Sequence, residues 1–303
     1  LHSCPVSCRV AFIVQKVKFC SWNYFNAINR DQVKDMKKQG TFSLSIMSGK
    51  GGVGKTNLSL NLAYALYRDY HSAILMDCDL GLANLDVLLG ISPEKNIQDM
   101  LQGNARPEEI ICKLEKNGLD LLPAASGVPE LVDLDEDLQT VLLQKLNKLF
   151  SNYEYLFLDL GAGINNSVLS FARMTHERIV VITPEPTSLT DSYALIKVLN
   201  SKFGLDHFYL LVNMVDSERE ARVGFERMKA ACEKFLQVNC HFLGAVHNDN
   251  FLPQAVRDQK LFVKAYPESK AAKDLQVISE RLVALNKAKS EFIAHNPVLN
   301  LKK

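Results

Sequence analysis

The 303-residue sequence contains no long apolar run and no excess of charge of either sign. No stretch approaches the roughly 18 consecutive apolar residues of a membrane-spanning helix. The 35 Lys and Arg residues nearly balance the 34 Asp and Glu residues, which leaves a formal net charge of +1. Because binding to nucleic acid depends on concentrated positive charge, this balance argues against direct, sequence-specific nucleic-acid binding.

Closely spaced cysteines are also missing. The seven cysteines are odd in number and contain no C-x-x-C pair. Disulfide-stabilised secreted domains and structural zinc sites need cysteines in regular or closely spaced sets. We therefore expect a cytoplasmic protein with free thiols and no metal site at Cys4 and Cys8. The seven positions are Cys4, Cys8, Cys20, Cys78, Cys112, Cys232 and Cys240.

Residues 1–20 lack the features of a secretory signal peptide. Their apolar run spans only residues 10–14, between Arg9 and Lys16, and no small-residue cleavage site follows it. The chain begins with Leu1 rather than Met. We expect residues 1–20 to be poorly ordered or a non-native start.

Between residues 41 and 285 short apolar runs alternate with longer helical segments, a pattern typical of parallel α/β folds. Nearly all the runs are apolar throughout, as expected for strands covered on both faces. We predict a single domain: a three-layer, doubly wound, mostly parallel sheet of about seven to eight strands with helices on both faces. The predicted strands are 42–47, 73–76, 119–122, 155–158, 179–183, 208–212 and 242–246, and the predicted helices include 56–68, 138–150, 189–201, 218–237 and 270–285.

The first predicted strand leads into a glycine-rich loop of the pattern G-x-x-x-x-G-K-[ST]. Gly49 begins the pattern, and Gly54, Lys55 and Thr56 close it where a predicted helix starts. Small residues let backbone N–H groups converge on phosphate oxygens at a helix N-terminus, whose dipole favours anions. Lys55 would contact the β- and γ-phosphates, and the Thr56 hydroxyl would ligate Mg²⁺. The alternative is a glycine-rich turn without a ligand.

Three aspartates follow predicted strands at their carboxyl ends, where α/β sheets bind ligands. Asp77 and Asp79 close the second strand, and Asp159 closes the strand at 155–158. A carboxylate in this position can hold a metal-bound water or orient an attacking water. We predict a metal role for Asp159, whereas one of the other two aspartates has the alternative role of capping the turn that follows.

The loop also carries an early lysine, Lys50, which the general pattern leaves free. With it, the loop resembles the deviant Walker A loop of the MinD/ParA family of SIMIBI-like P-loop ATPases. The resemblance implies an ATPase that converts ATP to ADP and phosphate with Lys50 and Lys55 in catalytic roles. It also implies an ATP-bound homodimer in which Lys50 reaches the partner's nucleotide. The implied ATP-binding residues of the loop are Gly49, Lys50, Gly51, Gly52, Val53, Gly54, Lys55, Thr56 and Asn57.

The segment at 77–86 resembles the MinD branch of this family rather than the ParA branch. That match implies a catalytic role for Asp79, which would position the attacking water. It also implies that Asp77 lies near the metal, together with Thr56 and Asp159.

Three further positions match the family. Residues 159–163 resemble its D-x-x-A-G switch, with Gly161 in place of the usual proline. Glu185 matches a glutamate that reaches the ribose, and Asn213 matches an asparagine that recognises adenine. The donor and acceptor of an amide suit the adenine edge, although an asparagine at a strand end can also cap a turn.

Residues 21–40 precede the domain as a predicted amphipathic element. The segment at 31–37 resembles the D-Q-A-x-x-L-R element of the FlhG (FleN/YlxH) branch, which regulates flagellar number. The resemblance implies that this element binds an FlhF-like GTPase and stimulates its GTP hydrolysis. A solvated helix packed on its own domain fits the pattern equally. The implied partner-binding residues are Asp31, Gln32, Met36 and Lys37.

Residues 286–303 form a predicted C-terminal tail. MinD-like proteins carry a membrane-targeting amphipathic helix at this end, but Lys289 interrupts the apolar stripe here and Pro297 ends any helix. We expect the tail to dock on the domain or to be disordered rather than to enter a membrane.

These resemblances imply a cytoplasmic ATPase that dimerises with ATP and Mg²⁺ and controls flagellar number and placement. Further implied partners are flagellar switch (C-ring) proteins or a flagellar transcription regulator, and peripheral contact with the inner face of the cell membrane is a further option. One alternative is a division-site or chromosome-partitioning ATPase. Another is a nucleotide-dependent electron donor or iron–sulfur carrier, which would need paired cysteines.

Overall fold

The structure is a computed structural model that describes residues 40–79, 85–116, 118–123 and 136–300. The predicted partner-binding residues Asp31, Gln32, Met36 and Lys37 lie outside the described residues.

The described residues contain eight strands: β1 (Phe42–Ser48), β2 (Ala73–Cys78), β3 (Cys112–Glu115), β4 (Leu119–Leu122), β5 (Tyr155–Ala162), β6 (Glu177–Ile182), β7 (His207–Val215) and β8 (Asn239–His247). They form one sheet in the order β3-β4-β2-β5-β1-β6-β7-β8. Neighbouring strands pair in parallel except β3 and β4, which are antiparallel. The predicted doubly wound, mostly parallel α/β fold is therefore confirmed.

Strand β3 is not among the strands that the apolar runs indicated. It spans four residues at the edge of the sheet, and its Lys113 is exposed. An edge strand lacks the continuous apolar run that marks a strand covered on both faces, so pattern reasoning does not separate it from a loop.

Helices cover both faces of the sheet. Among the described helices, none has the length and apolar content that would let it cross a membrane. The helices are α1 (Lys55–Arg68), α2 (Leu85–Leu89), α3 (Ile97–Leu101), α4 (Glu136–Phe150), α5 (Asn166–Met174), α6 (Pro186–Phe203), α7 (Glu218–Leu236), α8 (Phe251–Arg257), α9 (Phe262–Ala265), α10 (Lys270–Ala288) and α11 (Ser290–His295), with a 3₁₀ helix at Pro107–Ile110.

The core consists of two apolar layers, one on each face of the sheet. Successive residues of β5 alternate between them: Phe157 packs in one layer and Leu158 in the other. Side chains along a strand point to opposite faces, so both faces of β5 are buried. Leu62 of α1 and Leu282 of α10 belong to the layer of Phe157, whereas Leu195 of α6 belongs to the layer of Leu158. This double cover explains why the predicted strands are apolar throughout.

The segment after α10 packs on the domain at the end of the sheet where β1 begins. Ile293 of α11 is buried. The Ser43 hydroxyl of β1 donates to the Val298 carbonyl at 2.6 Å. Asn147 of α4 bonds Leu299 in both directions, accepting from its N–H at 2.8 Å and donating to its carbonyl at 3.1 Å. These hydrogen bonds tie residues 298–299 to β1, which leads into the glycine-rich loop, and to α4.

Candidate nucleotide-binding site

The glycine-rich loop lies between β1 and α1 at the carboxyl edge of the sheet. Gly52 and Gly54 have φ angles of +78° and +89°, in the left-handed region that favours glycine. Gly54 precedes α1, and no described side chain caps that helix. The N–H groups of the first turn are therefore available to an anionic ligand, which the helix dipole also favours.

The first half of the loop rests against α6. A Cβ atom on Gly49 would lie 2.1 Å from the Asp191 carbonyl carbon, so no larger residue fits. The Gly49 N–H donates to the Ser192 hydroxyl at 3.3 Å. On the other side, the Ser48 hydroxyl donates to the Lys50 carbonyl at 2.6 Å. The backbone at residues 48–50 is thus held by its own hydrogen bonds and by a packed helix.

Asp77 and Asp159 form a buried pair of carboxylates beside the loop. They are register partners on the adjacent strands β2 and β5, and both are at most 2% exposed. The Ser59 hydroxyl of α1 donates to Asp159 at 2.9 Å, and the Asp79 N–H donates to Asp77 at 3.0 Å. Two buried carboxylates side by side favour a bound cation, because each disfavours the charge of the other.

Burial raises the pKa of Asp159 to about 7, although hydrogen bonds from Thr56 and Ser59 act in the opposite direction. Carboxylate and hydroxyl oxygens are ligands that Mg²⁺ prefers, so Asp159, Asp77 and Thr56 fit a magnesium site. Among the described residues, no three His, Cys, Asp or Glu side chains meet as a metal-binding group. Phosphate oxygens and water would have to complete the coordination shell, as is usual for Mg²⁺.

Lys55 begins α1 and is almost fully buried, at 8% exposure. Burial lowers its pKa, while the negative charges of Asp159 and Asp79 raise it. A buried ammonium that faces carboxylates rather than solvent is placed to bind phosphate oxygens.

Lys50 pairs with Glu185 in the same chain. Its ammonium donates to the Glu185 carboxylate at 2.5 Å and to the Thr187 hydroxyl at 3.0 Å. Glu185 directly precedes α6, yet its side chain does not cap that helix. Two residues that were predicted to contact nucleotide thus contact each other.

Asn213 is a buried residue near the end of β7 and lies against the loop. Its Nδ2 donates to the Val53 carbonyl at 2.8 Å, and a Cβ on Gly54 would lie 2.5 Å from that nitrogen. Beside it is a cavity of about 320 Å³ lined by Thr183, Pro184, Glu185, Met214 and Glu220. The buried hydroxyl of Thr183 has no hydrogen-bond partner among the described residues. A buried polar group without a partner is costly, so this cavity suits a ligand with hydrogen-bonding groups.

The family follows from the match of this chain to a sequence profile. Residues 41–283 match the profile described as "ParA: NUBPL iron-transfer P-loop NTPase". The chain belongs to the MinD/ParA family of P-loop NTPases. The match covers the whole predicted ATPase domain apart from its last two residues.

Two relatives of this MinD/ParA chain are similar to it over most of its length. Antiactivator FleN of Pseudomonas aeruginosa is 37% identical over 251 residues, which cover 82% of this chain and 89% of FleN. Flagellum site-determining protein YlxH of Helicobacter pylori is 37% identical over 265 residues, which cover 86% of this chain and 88% of YlxH. The solved structure of MinD from Pyrococcus horikoshii, complexed with Mg-ADP, is similar with a TM-score of 0.65 at 26% identity. The similarity covers 82% of this chain and 98% of the Pyrococcus horikoshii MinD chain.

The structure brings most of the site residues predicted for this MinD/ParA chain to one edge of the sheet. The loop from Gly49 to Asn57 lies there with Asp77, Asp79 and Asp159. Glu185 follows β6, and Asn213 lies two residues before the end of β7. Gly51 and Gly52 are exposed at the top of the loop.

Gly161 takes the position of the usual family proline. A Cβ at this position would lie 3.3 Å from an Asp79 carboxylate oxygen. The glycine therefore leaves room for that carboxylate at the end of β5.

Sequence reasoning missed two residues of this MinD/ParA site, Ser59 and Thr187. Ser59 lies one helical turn after Lys55 and faces the sheet, and this spacing is a signal that could have found it. Thr187 carries no such signal, because its contact with Lys50 joins residues 137 positions apart in the chain.

Proposed function

We propose that this chain is an ATP- and Mg²⁺-dependent dimerisation switch that hydrolyses ATP slowly and regulates flagellar number and placement. The ATPase part rests on one observation above all: buried Lys55 and the buried pair Asp77 and Asp159 meet at the open N-terminus of α1. The flagellar part rests on the similarity to FleN and YlxH over most of the chain.

Each residue of the proposed site has a separate task. The loop N–H groups and Lys55 hold the phosphates, and Asp79 orients the attacking water. Thr56, Asp77 and Asp159 would hold Mg²⁺, which neutralises charge on the phosphates when bound. Asn213 contacts the adenine edge, and a hydrogen-bonding group of the ligand satisfies Thr183. This assignment explains why buried charges are tolerated at this edge of the sheet.

Replacing Lys50 by alanine is expected to abolish ATP-dependent dimerisation and to slow ATP hydrolysis at least about tenfold, because a cation supplied across the interface stabilises the transferred phosphate. Light scattering after gel filtration, with and without ATP, measures the dimer, and phosphate release measures hydrolysis. Lys197→Ala on the exposed face of α6 is the control. If Lys50→Ala dimerises and hydrolyses ATP normally, the cross-interface role is wrong.

A peptide of residues 21–40 is expected to raise GTP hydrolysis by an FlhF-like GTPase several-fold, and the same peptide with Gln32→Ala is expected to lose most of this effect. Multiple-turnover phosphate release measures both. An unchanged GTPase rate with the unmodified peptide would contradict the flagellar proposal.

A division-site or partitioning ATPase is the second candidate, and the similarity to the MinD structure supports it. The GTPase assay separates the two, because only the flagellar proposal requires that the N-terminal element stimulate an FlhF-like GTPase. We place the protein in the cytoplasm, with peripheral contact to the inner face of the cell membrane as part of the same proposal.

A further inference from the structure

The backbone at Gln259 has a conformation that favours glycine. Gln259 follows α8, and its φ angle of +51° lies in the left-handed region. This conformation closes the end of the helix, where the Lys260 N–H donates to the Ala255 carbonyl at 2.9 Å. Glycine adopts it without strain, whereas glutamine does not. The glutamine at this position therefore costs stability unless the contacts of its side chain offset the strain.

The Gln259 side chain connects the end of α8 to α2. Its Nε2 donates to the Val87 carbonyl at 2.9 Å, although the two residues are 172 positions apart in the chain. A Cβ atom on Gly90, directly after α2, would lie 2.5 Å from Gln259 Oε1. A larger residue at position 90 would therefore displace the amide. The end of α2 is thus held by a side chain from a distant part of the chain.

The beginning of α2 contacts the proposed magnesium site. The N–H of the buried Leu85, the first residue of α2, donates to Asp77 Oδ2 at 3.4 Å. The other oxygen of this carboxylate accepts from the Asp79 N–H. Asp77 is buried beside its register partner Asp159. A displacement of α2 would therefore remove a hydrogen-bond donor from a buried carboxylate, which is costly.

We propose that Gln259 is a positioning residue for the nucleotide site: it holds α2 in place, and α2 in turn holds the Asp77 carboxylate. Because α2 has only five residues, a displacement at Val87 also moves Leu85. The expected effect on catalysis rests on the proposed function, whereas the anchoring of α2 is a property of the nucleotide-free protein. Gln259 itself contacts neither nucleotide nor metal in this scheme.

Two substitutions separate the hydrogen bond of Gln259 from its backbone strain. Gln259→Met removes the donor and keeps the length of the side chain. Gln259→Gly removes the donor and also relieves the strain. The matched control is Gln254→Met on α8, because the Gln254 amide bonds Asp258 and Arg257 within the same segment.

The first measurement is amide hydrogen exchange of the nucleotide-free protein, followed by mass spectrometry. Loss of one neutral hydrogen bond should raise the exchange rate of residues 85–91 about two- to fivefold in both Gln259 variants. Gln254→Met should leave this rate unchanged. Unchanged exchange in Gln259→Met would overturn the anchoring of α2 whatever the function of the protein. A rise in Gln259→Gly alone would also overturn it, because the backbone rather than the hydrogen bond would then hold α2.

The second measurement is ATP hydrolysis as a function of ATP and Mg²⁺. Gln259→Met should lower kcat about three- to tenfold and leave KM for ATP within about twofold, because a misplaced carboxylate slows the chemical step more than binding. It should also raise the Mg²⁺ concentration for half-maximal hydrolysis about threefold. The melting temperature and the ADP affinity without Mg²⁺ should match those of Gln254→Met, which a purely structural role would not predict.

An unchanged kcat in Gln259→Met would overturn the link from α2 to the nucleotide site, even if the exchange of residues 85–91 is faster. If wild type hydrolyses no ATP, the proposed function fails, and with it the effect on catalysis. The exchange rates still decide in that case whether Gln259 holds α2.

Discussion

Asp159→Asn is expected to raise the melting temperature of the nucleotide-free protein at pH 8 by about 5–10 °C while lowering Mg²⁺-dependent ATP hydrolysis at least about 100-fold. Burial raises the pKa of Asp159 to about 7 from 3.8, so the carboxylate is unfavourable in the folded state at pH 8. The difference between these two pKa values corresponds to at most about 4 kcal/mol in the free energy of unfolding. Asparagine keeps the shape and removes the charge.

The pKa of Asp159 also fixes how the stability gained by Asp159→Asn changes with pH. The folded protein binds the Asp159 proton more tightly than the unfolded chain, so wild type loses stability as the pH rises from about 4 to about 7. The advantage of the asparagine variant is therefore absent below pH 4 and complete above pH 7.

For Asp159→Asn, calorimetry across this pH range measures the melting temperature, and phosphate-release assays measure ATP hydrolysis. Asp120→Asn is the control, because burial also raises the pKa of Asp120 but its partner is Tyr153, outside the site. A lower melting temperature for Asp159→Asn at pH 8 would show that the carboxylate stabilises the fold instead.

Glu177→Gln is expected to lower the free energy of unfolding by about 3–5 kcal/mol, because it leaves a buried cation without its carboxylate. Glu177 and Arg178 begin β6 and are each about 1% exposed. Burial alone would raise the pKa of Glu177, but a hydrogen bond from His207 and the charges of Lys289 and Arg178 hold it at about 2. Lys289, at the end of α10, joins the C-terminal segment to this cluster.

The corresponding fall in melting temperature is about 10 °C. Calorimetry measures it, and Asp206→Asn, which changes an exposed neighbour of His207, should have little effect. Because the pKa of Glu177 lies below its unfolded value of 4.5, its contribution is complete above pH 4.5 and is lost as the pH falls through 2. ADP affinity should not change, since Glu177 begins β6 and the nucleotide site lies past the opposite end of that strand. Unchanged stability in Glu177→Gln would mean that the cluster contributes nothing to the fold.

The fold and the centre of the site could be predicted because their signals are local in the chain. The strands of a doubly covered sheet are apolar throughout, and the loop from Gly49 to Thr56 carries its glycines, lysine and threonine within eight consecutive residues. The position of Asp77 and Asp159 beside the loop could be predicted for the same reason: each closes an apolar run, and the carboxyl ends of parallel strands meet at one edge.

Only the tertiary structure decided which distant side chains meet. Glu177 is a charged residue, and its immediate neighbours in the chain are not apolar. It is nevertheless buried, because β7 and the end of α10 bring His207 and Lys289 to it. The pairing of Lys50 with Glu185 and Thr187 depends on how α6 packs on the loop.

The amino-acid sequence by itself determined the parallel α/β fold, the nucleotide loop and the early Lys50, because periodicity and motif spacing act between residues close in the chain. The tertiary structure decided the state of Lys50 and the partners of the buried charges, because those energies depend on distances between segments far apart in the chain.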